Sequence, residues 1–281
     1  MTLTRYHPIL LLVLISIFFA ACKKGSVETD YNPNILVANN QVIAERAYSD
    51  VFNIFYMVVN DSELIAQGSD SVFGAHCTYA STPIIEYRID FSSYYVPCPD
   101  GKIRKGLITA TLDQAFNETG AHAVLVFSGY TVENLKLDSL MGISNMGLTV
   151  NPQQTFEVTV PAGNLTFIDS LSSKSYTWSS NKYFIHTQGA GTPDNFNDDV
   201  FEITGTATGR NVSGTYFEAS IVEALGNDLS CRWIRTGKTL LSTPDIPVTS
   251  GYIEYQGQDS CTNIVKYTFD GNPFYDKFIH Y

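Results

Sequence analysis

The chain has 281 residues, 44% of them hydrophobic, which is enough to build a substantial core even after a leader segment is set aside. Its 28 acidic residues against 17 basic ones give a net charge of −11, which argues against a nucleic-acid partner and against electrostatic adhesion to anionic lipid. The acidity speaks mainly for solubility.

The first element reads as a leader. Arg5 and the α-amino group supply a positive end, an apolar run extends from Ile9 to Phe19, and Ala20, Ala21 and Cys22 follow. That order is a signal peptide with a small-residue cleavage site, and the run falls short of the roughly 20 residues a spanning helix needs. Cys directly after two alanines reads as a lipobox, with Phe19 where Leu is usual. Residues 1–21 are therefore expected to be removed and Cys22 to carry lipid; a plain secretory cut is the alternative. The expected address is the outer membrane of a cell envelope, with the body facing either the periplasm or the surface. Acyl chains contribute about 0.8 kcal/mol per buried methylene, so two or three of them hold firmly. Residues 22–34 are polar and broken by Gly25 and Pro33, as suits a tether.

Residues 35–281 read as one β-rich domain that begins with a helix at about 39–66. Ile43, Ala47, Val51, Ile54, Phe55 and Val58 form an apolar stripe, with Arg46, Ser49, Asp50 and Asn53 opposite, the pattern of a helix packed on the body of a domain. Asn39 or Asn40 can cap its start and Gly68 can end it.

From Ser71 the period changes to two. Ile85, Tyr87, Ile89 and Phe91 alternate with polar residues, as do Phe156, Val158 and Val160, and Val265, Tyr267 and Phe269. Further short strands are expected near 107–112, 121–128, 165–168, 176–178, 200–206, 216–222 and 231–241. One-faced alternation marks antiparallel sheets, and no βαβ rhythm is present. The expected fold is mainly β: an antiparallel sandwich or open barrel with the N-terminal helix packed on it.

Five cysteines fall to four once Cys22 is lipidated, an even number that suits two disulfides in an oxidising compartment, although four cysteines allow three pairings. Metal binding is the rival use, but none of the four stands in a CxxC pair. An internal echo favours one pairing. Cys77 and Cys231 each precede a strand, a Pro-containing turn and a second strand, after which Cys98 and Cys261 return to the open end of the hairpin. Cys77 with Cys98 and Cys231 with Cys261 are expected, each stabilising by about 3 kcal/mol through loop closure.

CPDGKIRKGLI (98–108), DDVFEITGTATGRNVSG (198–214), CRWIRTGKTLL (231–241) and SCTN followed by VKYTFDGNPF together resemble a group of uncharacterised β-rich lipoproteins of Bacteroidota-type bacteria. The resemblance implies a lipoprotein signal, a helical N-terminal piece and a β body, and it brings no activity. Asp70-Ser71-Val72, Asp138-Ser139-Leu140 and Asp169-Ser170-Leu171 look similar to the tripeptide such bacteria use for O-glycosylation, which would modify Ser71, Ser139 and Ser170; ordinary turns are the alternative.

No catalytic constellation stands out. His76, His122, His186 and His280 are scattered and read as strand-surface or turn residues, and neither HExxH nor GxSxG occurs. The acidic run Asp194 to Asp199 lacks the glycine and terminal glutamate of an EF-hand loop and reads as a solvated turn rather than a calcium site. No metal or cofactor is expected. Arg104 and Lys105 follow Cys98 as Arg232 and Arg235 follow Cys231, so each echoing unit bears a basic spot able to receive an anion. Tyr94 and Tyr95, in the irregular stretch before Cys98, are the expected exposed pair for ligand contact. These features describe a non-catalytic envelope lipoprotein that binds a ligand or partner, whether a glycan, an apolar ligand or an envelope protein. A glycan hydrolase drawing carboxylates from separate strands and an apolar-ligand carrier are the alternatives.

Overall fold

The computed structural model describes residues 33–150, 153–168, 173–192, 195–257 and 260–277. Helix α1 runs Pro33–Val59. Pro33 opens this helix rather than breaking a tether: proline suits the first helical position, where its preset φ helps and its missing N–H has no intrahelical partner to lose. Asn39 and Asn40 accordingly lie inside the helix and cap nothing. The Asn60 amide instead donates to Tyr56 O at 2.8 Å, satisfying a carbonyl of the last turn. A separate short helix α2, Ser62–Gln67, follows. Asp61 caps it by accepting from Leu64 N, and Gly68, at φ +80°, ends it as expected.

The strands are β1 (Ser69–Val72), β2 (Ala75–Ala80), β3 (Ile85–Asp90), β4 (Val96–Pro97), β5 (Ile103–Leu112), β6 (His122–Val132), β7 (Leu135–Asp138) and β8 (Leu140–Val150), then β9 (Gln153–Phe167), β10 (Lys174–Gln188), β11 (Val200–Arg210), β12 (Tyr216–Asp228), β13 (Thr236–Ser242), β14 (Ser250–Tyr255), β15 (Ile264–Phe269) and β16 (Asn272–Lys277). They form a single antiparallel sheet in which nearly every strand pairs with its neighbours in sequence. Strands β7 and β8 share one slot between β6 and β9, broken at Ser139. One meandering sheet, rather than two facing ones, selects the open form over the sandwich. The alternation read in β3, β9 and β15 is present, with Tyr87, Ile89, Phe156, Val158, Val160, Val265, Tyr267 and Phe269 all buried.

Helix α1 touches β3, β10, β12 and β15, strands distributed from near one end of the sheet to near the other. The sheet therefore curls around the helix. Every residue from Asn40 to Phe52 is buried, more than three helical turns with no solvent side. The helix is packed on the β body as expected, and the residues opposite its apolar stripe, Arg46, Ser49 and Asp50, are buried as well.

An enclosed helix must satisfy its polar side chains from the surrounding strands. Lys182 of β10 donates to Glu45 at 2.7 Å, and Gln41 links that carboxylate to Trp178 through bonds of 3.0 and 2.8 Å. Asn40 accepts from Val212 N, and Asn39 accepts from the Tyr267 hydroxyl. Apolar packing fills the rest. Phe52 lies 4.2 Å from Phe184 and 5.1 Å from Phe201 by ring centroids, and Tyr48 stacks on Trp178 at 4.9 Å.

Candidate ligand cavity

Arg46, Ser49, Asp50, Asn53 and Met57 recur at intervals of three and four along α1, so they share one face of the helix. That face lines a cavity of about 330 Å³. Opposite it stand Pro99, Asp100 and Lys102 from the turn between β4 and β5, and residues 229–234 from the connection between β12 and β13. Phe73 closes one side from the two-residue turn joining β1 to β2, where Val72 pairs with Ala75. That turn needs positive φ at both positions; Gly74 takes it without penalty, while Phe73 holds φ +52°.

One wall is a compact charge cluster. Lys102 Nζ lies 2.6 Å from Asp50 Oδ1, and Arg104 Nη2 lies 2.8 and 3.0 Å from the two Asp50 oxygens. Arg104 also grips Asp100 with both terminal nitrogens, at 2.9 and 2.6 Å. Burial by itself would push both carboxyls up, but the Arg104 and Lys102 charges outweigh it and hold Asp50 and Asp100 below the usual carboxylate range. The same burial, with Arg46 and Arg104 nearby, brings Lys102 down to about 8 against the pull of Asp50. Both carboxylates are thus ionised at neutral pH, and neither can act as a general acid there.

The other wall is aromatic and amide. The Arg46 guanidinium lies 3.5 Å from the centre of the Trp233 ring, and the Arg232 guanidinium 5.0 Å from it. Arg232 reaches Glu133 at 3.5 Å. Asn53 and Asn227 exchange hydrogen bonds of 3.2 and 2.6 Å through their side-chain amides. The Ser49 hydroxyl and Arg232 Nε are buried atoms that find no hydrogen-bond partner. A wider trough of about 650 Å³ beside β12 to β14 includes Glu254, but that carboxylate is taken up by Lys238 and Lys266 at 3.3 and 3.1 Å.

The residues singled out from sequence are distributed unevenly. Cys231 and Cys261 form a disulfide, and both border the cavity. Cys77 and Cys98 do not pair, which corrects the expected second bridge; they are buried free thiols. The echo misleads because Cys77 lies inside β2, whereas Cys98 packs beside Gly74, three residues earlier. Three residues of strand span about 10 Å, while a disulfide holds its Cα atoms about 4.4–6.8 Å apart. Of the two basic spots, only Arg232 faces the cavity: Arg104 is consumed by Asp50 and Asp100, Arg235 bonds Asp228 at 2.6 Å, and Lys105 sits over Tyr95 at 4.5 Å.

Tyr94 and Tyr95 are exposed but take no part in lining the cavity. Ser71 is exposed on β1, whereas Ser139 is half-buried with its hydroxyl 2.9 Å from that of Tyr48, so an O-linked sugar there would break a core contact. Cys22, Ser170, Asp194 and His280 lie outside the described residues. His186 is not a surface residue: it is buried, stacked on Phe201 at 4.7 Å, with Nε2 2.6 Å from Asp199. That pairing removes Asp199 from the acidic run, and among the described residues no group of three or more His, Cys, Asp or Glu side chains is placed to hold a metal. Asp100, Lys102 and Trp233 were missed; their only signal was proximity to Cys98 and Cys231.

Comparison of the chain with known protein families, with curated proteins and with solved structures finds no match.

Proposed function

We propose that this chain is a non-catalytic envelope lipoprotein, anchored at the outer membrane through Cys22, whose β body holds a small polar ligand in the cavity beside α1. The observation that carries the binding reading is the cavity itself, about 330 Å³ and lined by the charged and amide side chains of Arg46, Asp50, Asn53, Asp100, Lys102 and Arg232. Concave spaces lined by a few convergent polar groups are where small molecules bind. The volume is at the lower end of the roughly 300–1,000 Å³ typical of small-molecule pockets.

The two alternatives receive less support. An apolar carrier needs an empty greasy interior, and here α1 and its aromatic neighbours occupy it. A carboxylate hydrolase needs one proton-bearing acid, whereas Asp50 and Asp100 are both held ionised.

The test is a thermal-shift screen of the full chain in mild detergent against small polar metabolites, run beside Ser49→Leu, which places a bulky group in the cavity. A ligand at 100 times its Kd stabilises by about 2.7 kcal/mol, which is about 5–10 °C for a domain of this size. Compounds that shift the wild type and not the variant support the reading; a screen with no such compound overturns it. The anchor is tested separately by incorporation of a clickable palmitate, expected in the wild type and lost in Cys22→Ala.

A further inference from the structure

Resting on that reading, the chemistry around the cavity points to the class of ligand. We propose that the cavity takes a neutral sugar ring, held through its hydroxyls by the side chains of Asn53, Asn197 and Arg232.

All three residues border the cavity and keep accessible surface: Asn53 and Arg232 are half-buried, and Asn197 is exposed. They come from separate elements that are tied to one another. Asn53, on α1, is bonded through its amide to Asn227 at the end of β12. Asn197 sits in the short turn Phe196–Asp198, and Asp199, which closes that turn, accepts from Leu229 N at 3.0 Å, just beyond Asn227. Arg232 follows in the same segment, and its Nη1 lies 3.2 Å from where a Cβ on Gly101 would stand, beside Asp100.

The amides suit a hydroxyl better than an ion. An asparagine side chain carries two N–H groups and two lone pairs, and the exchange with Asn227 uses one of each on Asn53. What remains is one donor and one acceptor. A hydroxyl both gives and takes hydrogen bonds, so adjacent hydroxyls on a ring can complete both. A carboxylate only accepts and an ammonium only donates. Asn197 adds a second amide of the same mixed character.

The charges on the wall are matched among themselves. Asp50 and Asp100 are met by Lys102 and Arg104, and Arg232 reaches Glu133 at 3.5 Å. An anion entering the cavity would face two ionised carboxylates, and a cation would face Arg46, Lys102 and Arg232. A neutral ligand avoids both repulsions, yet its oxygens can still accept charge-assisted hydrogen bonds from the Arg232 guanidinium. Trp233 and Phe73, both half-buried, give the same wall apolar surface for the C–H faces of a ring. The small volume suits a single ring rather than a long chain.

The experiment is calorimetric titration of the full chain, in a detergent without a sugar headgroup, with glucose, galactose, mannose and N-acetylglucosamine at millimolar concentration. Glucuronate and, at slightly acidic pH, glucosamine supply the same ring with a negative or a positive charge. At least one neutral sugar is expected to bind, and at least tenfold more tightly than either charged one. Asn53→Leu/Asn227→Leu, which removes both amides so that neither is stranded, is expected to lose at least tenfold of that affinity. Asn197→Ala, at an exposed position, is expected to lose several-fold. Of the two tryptophans, Trp178 is buried in the core, so a sugar-induced change in emission should vanish in Trp233→Phe. Charged sugars that bind as tightly as neutral ones overturn the neutral-ring assignment. Affinity unchanged in both asparagine variants, or an emission change that persists in Trp233→Phe, puts the sugar elsewhere and overturns the site. If no sugar binds while the wider screen yields a Ser49-dependent compound, the sugar assignment falls and the polar-ligand reading stands. Silence in both overturns both.

Discussion

Replacing Asp50 by Asn removes the carboxylate that bridges Lys102 and Arg104 while keeping the size of the side chain. Both cations are almost completely buried, at 2% and 0% side-chain exposure, and Asp50 is the group through which α1 holds them. Removing one partner of a buried pair typically costs about 3–5 kcal/mol, because the remaining charge is stranded. Asp100 still neutralises Arg104, so the low end, about 3 kcal/mol, is expected for Asp50→Asn. That corresponds to a fall of about 6–12 °C in Tm for a domain of this size. The assay is urea unfolding followed by near-ultraviolet circular dichroism, with Asp50→Asn/Lys102→Met as partner variant. The double variant leaves Arg104 and Asp100 one to one and should recover at least half the loss.

The pH dependence follows from the directions of the shifts. Asp50 is depressed in the folded protein, so its contribution is fully present above the unfolded value near 3.9 and disappears as pH falls toward the folded value. The gap between wild type and Asp50→Asn should therefore narrow below about pH 4. Lys102 runs the other way: with its folded value brought from 10.5 to about 8, the unfolded chain holds more protons between those values, and stability should rise with pH across that window. A loss under about 1 kcal/mol at pH 7, or a double variant no better than the single, would refute the claim that a stranded charge is what destabilises.

Lys182→Met strands Glu45 on the opposite side of the helix and should cost about 3–5 kcal/mol in chemical unfolding, with most of it regained in Glu45→Met/Lys182→Met. Gly106→Ala should destabilise by about 1–3 kcal/mol or more, because φ is +88° there and the added Cβ would press on the Gly129 main chain; equal thermal midpoints would show that the β5–β6 bulge yields easily. Non-reducing peptide mapping should recover Cys231 joined to Cys261. Cys77, buried and pushed up to about 11 by that burial, should resist iodoacetamide at pH 8 until the protein is unfolded. Cys231→Ser/Cys261→Ser should lower stability by about 3 kcal/mol and also weaken ligand binding, since the bridge borders the cavity.

Much of the strand content was legible because it rests on local period. Tyr87 and Ile89, or Val265 and Tyr267, reveal a buried face through their immediate neighbours. The helix was legible as a helix packed on the body, but the depth of its burial was not. An apolar stripe with Arg46, Ser49 and Asp50 opposite looks the same whether that face meets water or partners from elsewhere in the chain. The partners that decide it, Lys102 and Arg104, lie more than 50 residues downstream in sequence. The start was misread because Pro33 serves equally well as a break or as a first helical residue. The cysteine echo was right where both cysteines flank the hairpin and wrong where Cys77 lies within a strand. The cavity itself had no local signature: its walls come from α1, the β4–β5 turn and the 229–234 segment, which only the folded sheet brings together.

The burial of α1 on all sides also orders events in time. The helix precedes every described strand, yet part of its cover arrives last: Asn39 bonds Tyr267, 228 residues later. Until β15 is in place, the apolar and charged side chains of α1 have incomplete shelter, and contacts of such long range form slowly. The growing protein therefore carries an unprotected amphipathic segment through most of its assembly, the condition under which chains aggregate or require a holding partner. Productive folding of this chain should depend on protection of residues 33–59 until the C-terminal strands arrive, a requirement that a truncation ending before β15 would expose directly.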